Sequence, residues 1–193
     1  MTAAGPRLEV LLSEAEVAAR VETLAVQIAP ALADDAVAIC LLTGGLWFAA
    51  DLTRALARLG RPVAFDALWL TSYGDAKVSG GRCEVRAGLQ RPIAGRQALI
   101  LDDVFDTGLS LSEAVRHVRQ AGAAAVVTAV FARKPWPLPR APMPDHVAWD
   151  APASFLVGYG MDLGGAYRGL PYVAVVTDPE SQGAGGSRAS IAS

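Results

Sequence analysis

The apolar residues of this chain fall into short runs that alternate with segments of helical periodicity. Four runs have the length and composition of buried strands, and they span residues 36–42, 63–70, 98–101 and 124–131. Helices are predicted between them, over about residues 14–30, from the turn at 43–45 to about 59, and from 110 to 122. This alternation predicts an α/β fold with a parallel sheet covered by helices on both faces.

Residues with capping and breaking chemistry mark the ends of these helices. Ser13 and Glu16 have the spacing of a capping box, and Ser110 is a predicted cap for the third helix. Gly60 ends the second helix and Gly122 the third, because glycine adopts the left-handed conformation that closes a helix.

Three further segments depart from the alternation. Residues 71–82 lack periodicity and contain three glycines, so a mobile loop is predicted there. Residues 135–176 hold short apolar segments that we expect to be antiparallel and to form a small hood over one end of the sheet. Residues 179–193 contain few bulky side chains, which predicts a flexible tail after a single domain over 1–178, whose core spans about 8–134.

Composition excludes several classes of protein. The 193 residues are 52% apolar and 19% charged, which suits one folded domain, and a net charge of −2 does not favour nucleic acid or an anionic membrane. We see neither a run of about 18 apolar residues nor a signal-peptide pattern. Cys40 and Cys83 form neither a disulfide framework nor a zinc motif, so a reducing, cytoplasmic location is expected.

The predicted sheet gathers the candidate chemistry at one edge. Ligands of such sheets bind outside the carboxyl ends of the strands. That position is taken by the turn at 43–45, by the acidic pair Asp102 and Asp103, and by Lys134. Lys134 is one of two lysines against 15 arginines, so both surface decoration, the usual role of a lone lysine at a strand end, and a specific role stay open.

Residues 102–110 are the most informative segment. A buried strand leads into Asp102 and Asp103, and then Asp106, Thr107 and a glycine open a helix. Backbone N–H groups at such a turn bind anions, and the hydroxyls of Thr107 and Ser110 add donors. Carboxylates accept hydrogen bonds from sugar hydroxyls or hold hydrated Mg²⁺. A ligand with a phosphate at one end and a diol at the other would fit both halves.

This segment has other interpretations as well. The three acids could simply end a strand and cap a helix. The triplet at 106–108 also occurs in aspartic proteases, but those are rich in β structure and place it in a loop between strands. A phosphoacceptor domain could place an aspartate at a strand end, but it would explain neither Lys134 nor the hood.

Six segments together resemble the hypoxanthine (6-oxopurine) branch of the type I phosphoribosyltransferases. The acidic segment resembles that family's signature for phosphoribosyl pyrophosphate (PRPP), and the others resemble its pyrophosphate loop, catalytic lid and base-binding hood. The match extends from about Leu8 to Val176. In chain order the segments are LTGGLWFAADL (42–52), SYG (72–74), ILDDVFDTGLS (100–110), RKP (133–135), FLVGYGMD (155–162) and YRGLPY (167–172).

The resemblance implies a role for each segment in transferring a ribosyl phosphate from PRPP to hypoxanthine, and to guanine. Asp106 is the implied general base, and Ser72 and Tyr73 begin the lid. Mg²⁺ is the implied cofactor, held by Asp102, Asp103 and Asp162. The implied PRPP contacts are Asp102, Asp103, Asp106, Thr107, Gly108, Leu109, Ser110, Thr43, Gly44, Gly45 and Arg168, and the implied purine contacts are Lys134, Phe155, Leu156 and Asp162.

Two residues depart from the family pattern. Thr43 stands where many relatives have lysine, and Asp102 stands where glutamate is common. The resemblance also implies a non-proline cis peptide bond at Leu42–Thr43 and a homodimer or homotetramer, in which the cluster Leu46, Trp47 and Phe48 is either interface or core. A PRPP-sensing regulator and a xanthine-preferring enzyme on the same fold stay open as alternatives.

Overall fold

A computed structural model describes residues 6–73, 82–137 and 142–177. Within them the chain forms nine strands and three α-helices, and a single turn of 3-10 helix (Ala29–Ala31) follows the first helix. The helices are α1 (Glu14–Ile28), α2 (Leu46–Arg58) and α3 (Leu109–Gln120). The strands are β1 (Leu8–Leu12), β2 (Val37–Leu42), β3 (Ala64–Tyr73), β4 (Arg82–Ala87), β5 (Gln97–Phe105), β6 (Ala125–Arg133), β7 (His146–Asp150), β8 (Leu156–Val157) and β9 (Val173–Val176).

The main sheet has the strand order β4-β3-β2-β5-β6-β7. All neighbours in it are parallel except β3 and β4. Cys40 of β2 pairs with Leu101 of β5, and Asp102 of β5 pairs with Val130 of β6. The carboxyl ends of the central strands therefore lie side by side, and the predicted α/β class is confirmed.

Alternating residues of the central strands build a core on each face of this sheet. Ala38 and Cys40 face α1 and α2, where Leu24, Phe48 and Leu52 are among the fully buried side chains. Val37, Ile39 and Leu41 face the opposite side and pack with α3. Unbroken apolar strands between two helical layers bury both faces, which is why these runs carry almost no polar residue.

A second, smaller sheet has the order β1-β9-β8 and is antiparallel. The sequence indicated antiparallel segments after residue 135, and this is confirmed for β8 and β9 but wrong for β7. Strand β7 runs parallel to β6 and extends the main sheet, with Val130 paired to Val147. Strand β1, which the sequence analysis assigned to the core at 8–134, pairs instead with β9, from Leu8 opposite Val176.

Several boundaries also differ from the predictions. The loop prediction over 71–82 is wrong at both ends, because β3 continues to Tyr73 and β4 begins at Arg82; residues 74–81 lie outside the described residues. Strand β5 continues through both acids to Phe105. Helix α3 is preceded by Gly108 as its N-cap, so Ser110 lies in the first turn and is not the cap. The predicted tail at 179–193 is also outside the described residues. Among the described helices we find none with the length and hydrophobicity that crossing a bilayer requires.

Candidate active site

A cavity of about 250 Å³ opens at the carboxyl edge of the main sheet, as expected for this class of fold. Its walls come from the ends of β2, β3 and β5, from the start of α3, and from Arg168. The lining residues are Leu41, Leu42, Gly44, Leu70, Asp102, Asp103, Val104, Phe105, Asp106, Thr107, Gly108, Ser110, Leu111 and Arg168. Clefts of about 310 and 290 Å³ lie along α1, and neither is lined by a predicted site residue.

The turn at residues 106–108 connects β5 to α3 and lines this cavity. Gly108 has φ of +84°, a conformation that side-chain-bearing residues adopt at a cost, and the helix begins at the next residue. The Leu109 N–H donates to Thr107 Oγ1 at 3.3 Å, and the first helical bond runs from the Ser112 N–H to the Gly108 carbonyl at 2.9 Å. The amino end of α3 thus faces the cavity with a partial positive charge, which favours an anion there.

Asp102 and Asp103 form a buried acidic pair beside this turn. Their residues are 9% and 8% exposed, the Asp103 N–H donates to Asp102 Oδ1 at 3.1 Å, and the Val104 N–H donates to Asp103 Oδ1 at 2.9 Å. Burial and the proximity of the second carboxylate raise the pKa of Asp102. Burial also raises the pKa of Asp103, against the opposing effects of its hydrogen bonds with Asp102 and the Val104 N–H and of the Arg168 charge. Two buried acids with raised pKa values form a site that favours a cation or hydroxyl donors.

The turn after β2 approaches this pair closely. A Cβ at Gly44 would lie 2.0 Å from Asp103 Oδ2, and one at Gly45 would lie 2.8 Å from the Leu41 carbonyl oxygen. Glycine is therefore required sterically at both positions. The peptide bond between Leu42 and Thr43 is cis, as the resemblance implied, and Thr43 itself is exposed.

Arg168 supplies the cation of the cavity. Its Nη2 pairs with Asp162 Oδ1 at 2.7 Å, and its Nη1 donates to the Gly160 carbonyl at 2.5 Å. Asp162 also accepts the Gly165 N–H at 2.6 Å. The described residues therefore place Asp162 on Arg168 and not in a cluster with the acidic pair, and they hold no group of three or more His, Cys, Asp or Glu side chains arranged for a metal ion.

The residues predicted to hold a base are not among those that line this cavity, and of them Lys134 directly follows β6. The Lys134 N–H donates to the Phe105 carbonyl at 3.0 Å. The backbone of Lys134 is therefore bonded to the residue that directly precedes Asp106. Lys134 Nζ lies 5.9 Å from the centre of the Phe155 ring. Leu156 is buried, and it pairs with Val175 in the smaller sheet.

The predicted lid is only partly described. Ser72 and Tyr73 form the last residues of β3, so they lie at the correct edge of the sheet. Of the apolar cluster at the start of α2, Phe48 is fully buried in the core, Trp47 is half-buried, and Leu46 is 40% exposed.

Two residues that the sequence analysis assigned no role connect to this site. Tyr159 is 3% exposed and its hydroxyl donates to Asp51 Oδ2 at 2.9 Å. Gly160 follows it, and a Cβ there would lie 2.1 Å from the Gly44 carbonyl oxygen. The only available signal in the sequence was a tyrosine between two glycines. That pattern suggests a tight turn of the backbone, but it does not identify Asp51 as the partner of the tyrosine.

Comparisons with known proteins agree with this arrangement. The family described as "Phosphoribosyl transferase domain" matches residues 9–161. A hypoxanthine-guanine phosphoribosyltransferase of Aquifex aeolicus is 34% identical over 90% of this chain and 97% of its own, and one of Bacillus subtilis is 32% identical over 87% and 92%. A crystal structure of a hypoxanthine-guanine phosphoribosyltransferase from Bacillus anthracis, with HEPES in its active site, superposes with a TM-score of 0.81 at 28% identity, covering 90% of this chain and 100% of that one.

Proposed function

The chain belongs to the phosphoribosyltransferase family, in its hypoxanthine-guanine branch, and from that premise we propose that it is a purine salvage enzyme. It transfers the 5-phosphoribosyl group of PRPP to a ring nitrogen of hypoxanthine, and of guanine, giving IMP or GMP and pyrophosphate. The observation that carries the proposal is one cavity that joins an anion-binding turn, a buried acidic pair and an arginine. A ribosyl phosphate with a departing diphosphate needs each of these three.

The 5′-phosphate is proposed to bind the turn formed by Asp106, Thr107 and Gly108 and the first residues of α3, Leu109 and Ser110. The backbone N–H groups there and the partial positive charge of the helix suit a phosphate dianion. The Thr107 and Ser110 hydroxyls add donors at the same edge. Because Gly108 has a positive φ, the chain turns sharply enough to surround a small anion.

The pyrophosphate is proposed to leave toward Thr43, Gly44, Gly45 and Arg168. Gly44 and Gly45 have no side chain in the way, so the backbone reaches the diphosphate directly. Arg168 supplies positive charge where negative charge develops during bond breaking. Thr43 presents an uncharged hydroxyl at this turn. The positive charge beside the diphosphate is therefore proposed to come from Arg168.

Mg²⁺ is the proposed cofactor, and the donor set fits it. Mg²⁺ in proteins is commonly held by one or two carboxylates together with substrate phosphates and water, so no cluster of three acids is needed. Burial raises the pKa values of Asp102 and Asp103, and a bound cation would stabilise both side chains as carboxylates. These two would hold the ion, which when bound would neutralise charge on the diphosphate, whereas Asp162 pairs with Arg168.

Asp106 is the proposed general base. The attacking ring nitrogen must lose its proton as the new bond to the sugar forms, and a carboxylate beside the phosphate turn accepts it. Lys134 and Phe155 would orient the purine, with the ammonium donating to the 6-oxo group, the aromatic ring stacking on the base, and the backbone of Leu156 at its edge. Ser72 and Tyr73 are proposed to begin a lid that excludes water from the electron-deficient sugar.

The direct test follows absorbance while purified protein, PRPP and Mg²⁺ are mixed with hypoxanthine, guanine or xanthine. We expect turnover with hypoxanthine and guanine. A clear preference for xanthine would show that xanthine, and not hypoxanthine, is the substrate. The absence of turnover with any of the three bases would contradict the proposal.

The role of Asp106 is tested separately with Asp106→Asn, which keeps the shape of the side chain but cannot accept the proton. General bases contribute on the order of 100- to 10,000-fold in rate, so kcat should fall within that range while PRPP still binds. Turnover close to that of the unchanged protein would place the base elsewhere.

The setting of the enzyme is also proposed. Cys40 and Cys83 are free thiols, which suits the reducing cytoplasm. A homodimer or homotetramer is proposed, with the exposed Leu46 near its interface, and light scattering of the purified protein measures the state directly.

A further inference from the structure

We propose that Tyr159 is a positioning residue for the pyrophosphate side of the site and that it acts through its hydrogen bond to Asp51. The inference rests on the proposed function, because the affected ligand is PRPP. Tyr159 is not among the residues that line the cavity. Its effect must therefore pass through the turn to which it belongs.

This turn, Gly158–Met161, has an unusual backbone. Gly158, Tyr159 and Gly160 have φ values of +91°, +48° and +102° in succession. The left-handed conformation is unfavourable for tyrosine, so contacts made by its side chain must hold it. Two short backbone bonds between Gly158 and Met161 close the turn, at 2.9 and 3.1 Å.

The Tyr159 side chain provides those contacts. Its ring packs edge-on against Phe131 of β6, with 4.6 Å between ring centres. Its hydroxyl crosses to α2 and donates to Asp51 Oδ2 at 2.9 Å. Burial and the charge of Asp51 raise the pKa of Tyr159, so the hydroxyl remains a donor throughout the pH range of any assay. The bond therefore joins the turn to the helix that begins directly after the pyrophosphate turn.

The Gly158–Met161 turn itself contacts two residues of the site, Gly44 and Asp103. A Cβ at Gly160 would lie 2.1 Å from the Gly44 carbonyl oxygen and 3.4 Å from Asp103 Cβ, so its backbone packs on both. The Gly160 N–H donates to the Arg168 carbonyl at 3.0 Å, and Arg168 Nη1 donates back to the Gly160 carbonyl at 2.5 Å. A shift of Gly160 must move Arg168 and Gly44 together, and these are the two groups proposed to hold the diphosphate.

Tyr159→Phe tests this link with little risk to the fold. The variant keeps the ring and its packing on Phe131. Asp51 is left satisfied because its carboxylate is 41% exposed and pairs with Arg54 at 3.1 Å. We expect KM for PRPP, and its dissociation constant by calorimetry in the presence of Mg²⁺, to rise roughly two- to tenfold, the range for loss of one ordinary hydrogen bond. KM for hypoxanthine and kcat should stay within about twofold.

Variants of the partner distinguish positioning from general destabilisation. Asp51→Asn retains an oxygen acceptor and should leave KM for PRPP near that of the unchanged protein, whereas Asp51→Ala should raise it as Tyr159→Phe does. Combining Asp51→Ala with Tyr159→Phe should add nothing further, because both changes remove the same bond. Thr53→Val is the matched control on α2, since it removes a hydroxyl that donates to the Ala49 carbonyl at 2.7 Å.

Two results would overturn the inference. One is a Tyr159→Phe protein whose affinity for PRPP is unchanged. The other is a variant in which kcat and both KM values worsen together with a lower Tm, which would make Tyr159 a purely structural residue. If no purine is turned over by the unchanged protein, the proposed function fails, but the PRPP titration still decides the inference.

Discussion

Gly44→Ala is the substitution whose effect can be worked most directly from the structure. The added Cβ would lie 2.0 Å from Asp103 Oδ2 and 2.5 Å from its Cγ. Cβ atoms essentially never come closer than 3.0 Å to another heavy atom, so about 1 Å of separation must be created. Gly44 has an ordinary φ, so the effect is steric and not conformational.

Neither partner in this contact can move easily. Asp103 is 8% exposed and accepts the Val104 N–H at 2.9 Å, and Gly44 is packed against the backbone of Gly160. Forcing an extra methyl group into such a site destabilises a protein by about 1–3 kcal/mol. A misplacement of about 1 Å in a catalytic site lowers activity by on the order of 100-fold. We therefore expect kcat/KM for PRPP to fall by about that factor.

Steady-state kinetics with varied PRPP and a urea titration measure the two effects. Gly88→Ala is the matched control, because its φ is also ordinary and its nearest new contact would be His117 Nε2 at 3.9 Å. The control should retain full activity. A Gly44→Ala protein with unchanged kcat/KM for PRPP would show that Asp103 and Gly44 do not define the site.

Three further predictions concern separate parts of the chain. Lys134→Ala should raise KM for hypoxanthine roughly 10- to 100-fold, the range for a lost charge-assisted hydrogen bond, and leave KM for PRPP unchanged; equal effects on both would contradict a role in base binding. Asp102→Asn should increase the free energy of unfolding in urea without Mg²⁺. Burial raises the pKa of Asp102, so the gain in unfolding free energy should depend on pH. It should be absent below about pH 4, where the carboxyl is protonated in both the folded and the unfolded chain, and it should increase as the pH rises. A gain that is independent of pH would refute the reasoning. Ser13→Ala removes the side chain that accepts the Glu16 N–H, and it should lower stability by about 1 kcal/mol with unchanged kinetics, which thermal unfolding and the same assay would check.

The position of the cavity was predictable because it follows from the order of strands and helices along the chain. Apolar runs at 36–42, 98–101 and 124–131 are typical of buried parallel strands, and the carboxyl ends of such strands share an edge. Asp102, Gly44 and Lys134 were assigned to that edge, and the structure places each of them there.

Pairings between distant segments were not predictable in this way. Strand β4 has the mixed pattern RCEVRA, and β1 finds its partner at the far end of the domain, with Leu8 opposite Val176. Strand β7 was misassigned because a short segment after several prolines gives no signal for parallel pairing. The bond from Tyr159 to Asp51 joins residues 108 positions apart, and no local pattern encodes such a contact.

The most direct test of the account is a crystal structure of this protein with IMP. We predict that the 5′-phosphate accepts hydrogen bonds from the backbone N–H groups of residues 106–110, with the purine between Lys134 and Phe155 and the Asp106 carboxylate beside the bonded ring nitrogen. A nucleotide whose phosphate is bound anywhere else would contradict the account, since every other assignment in the site is made relative to that turn.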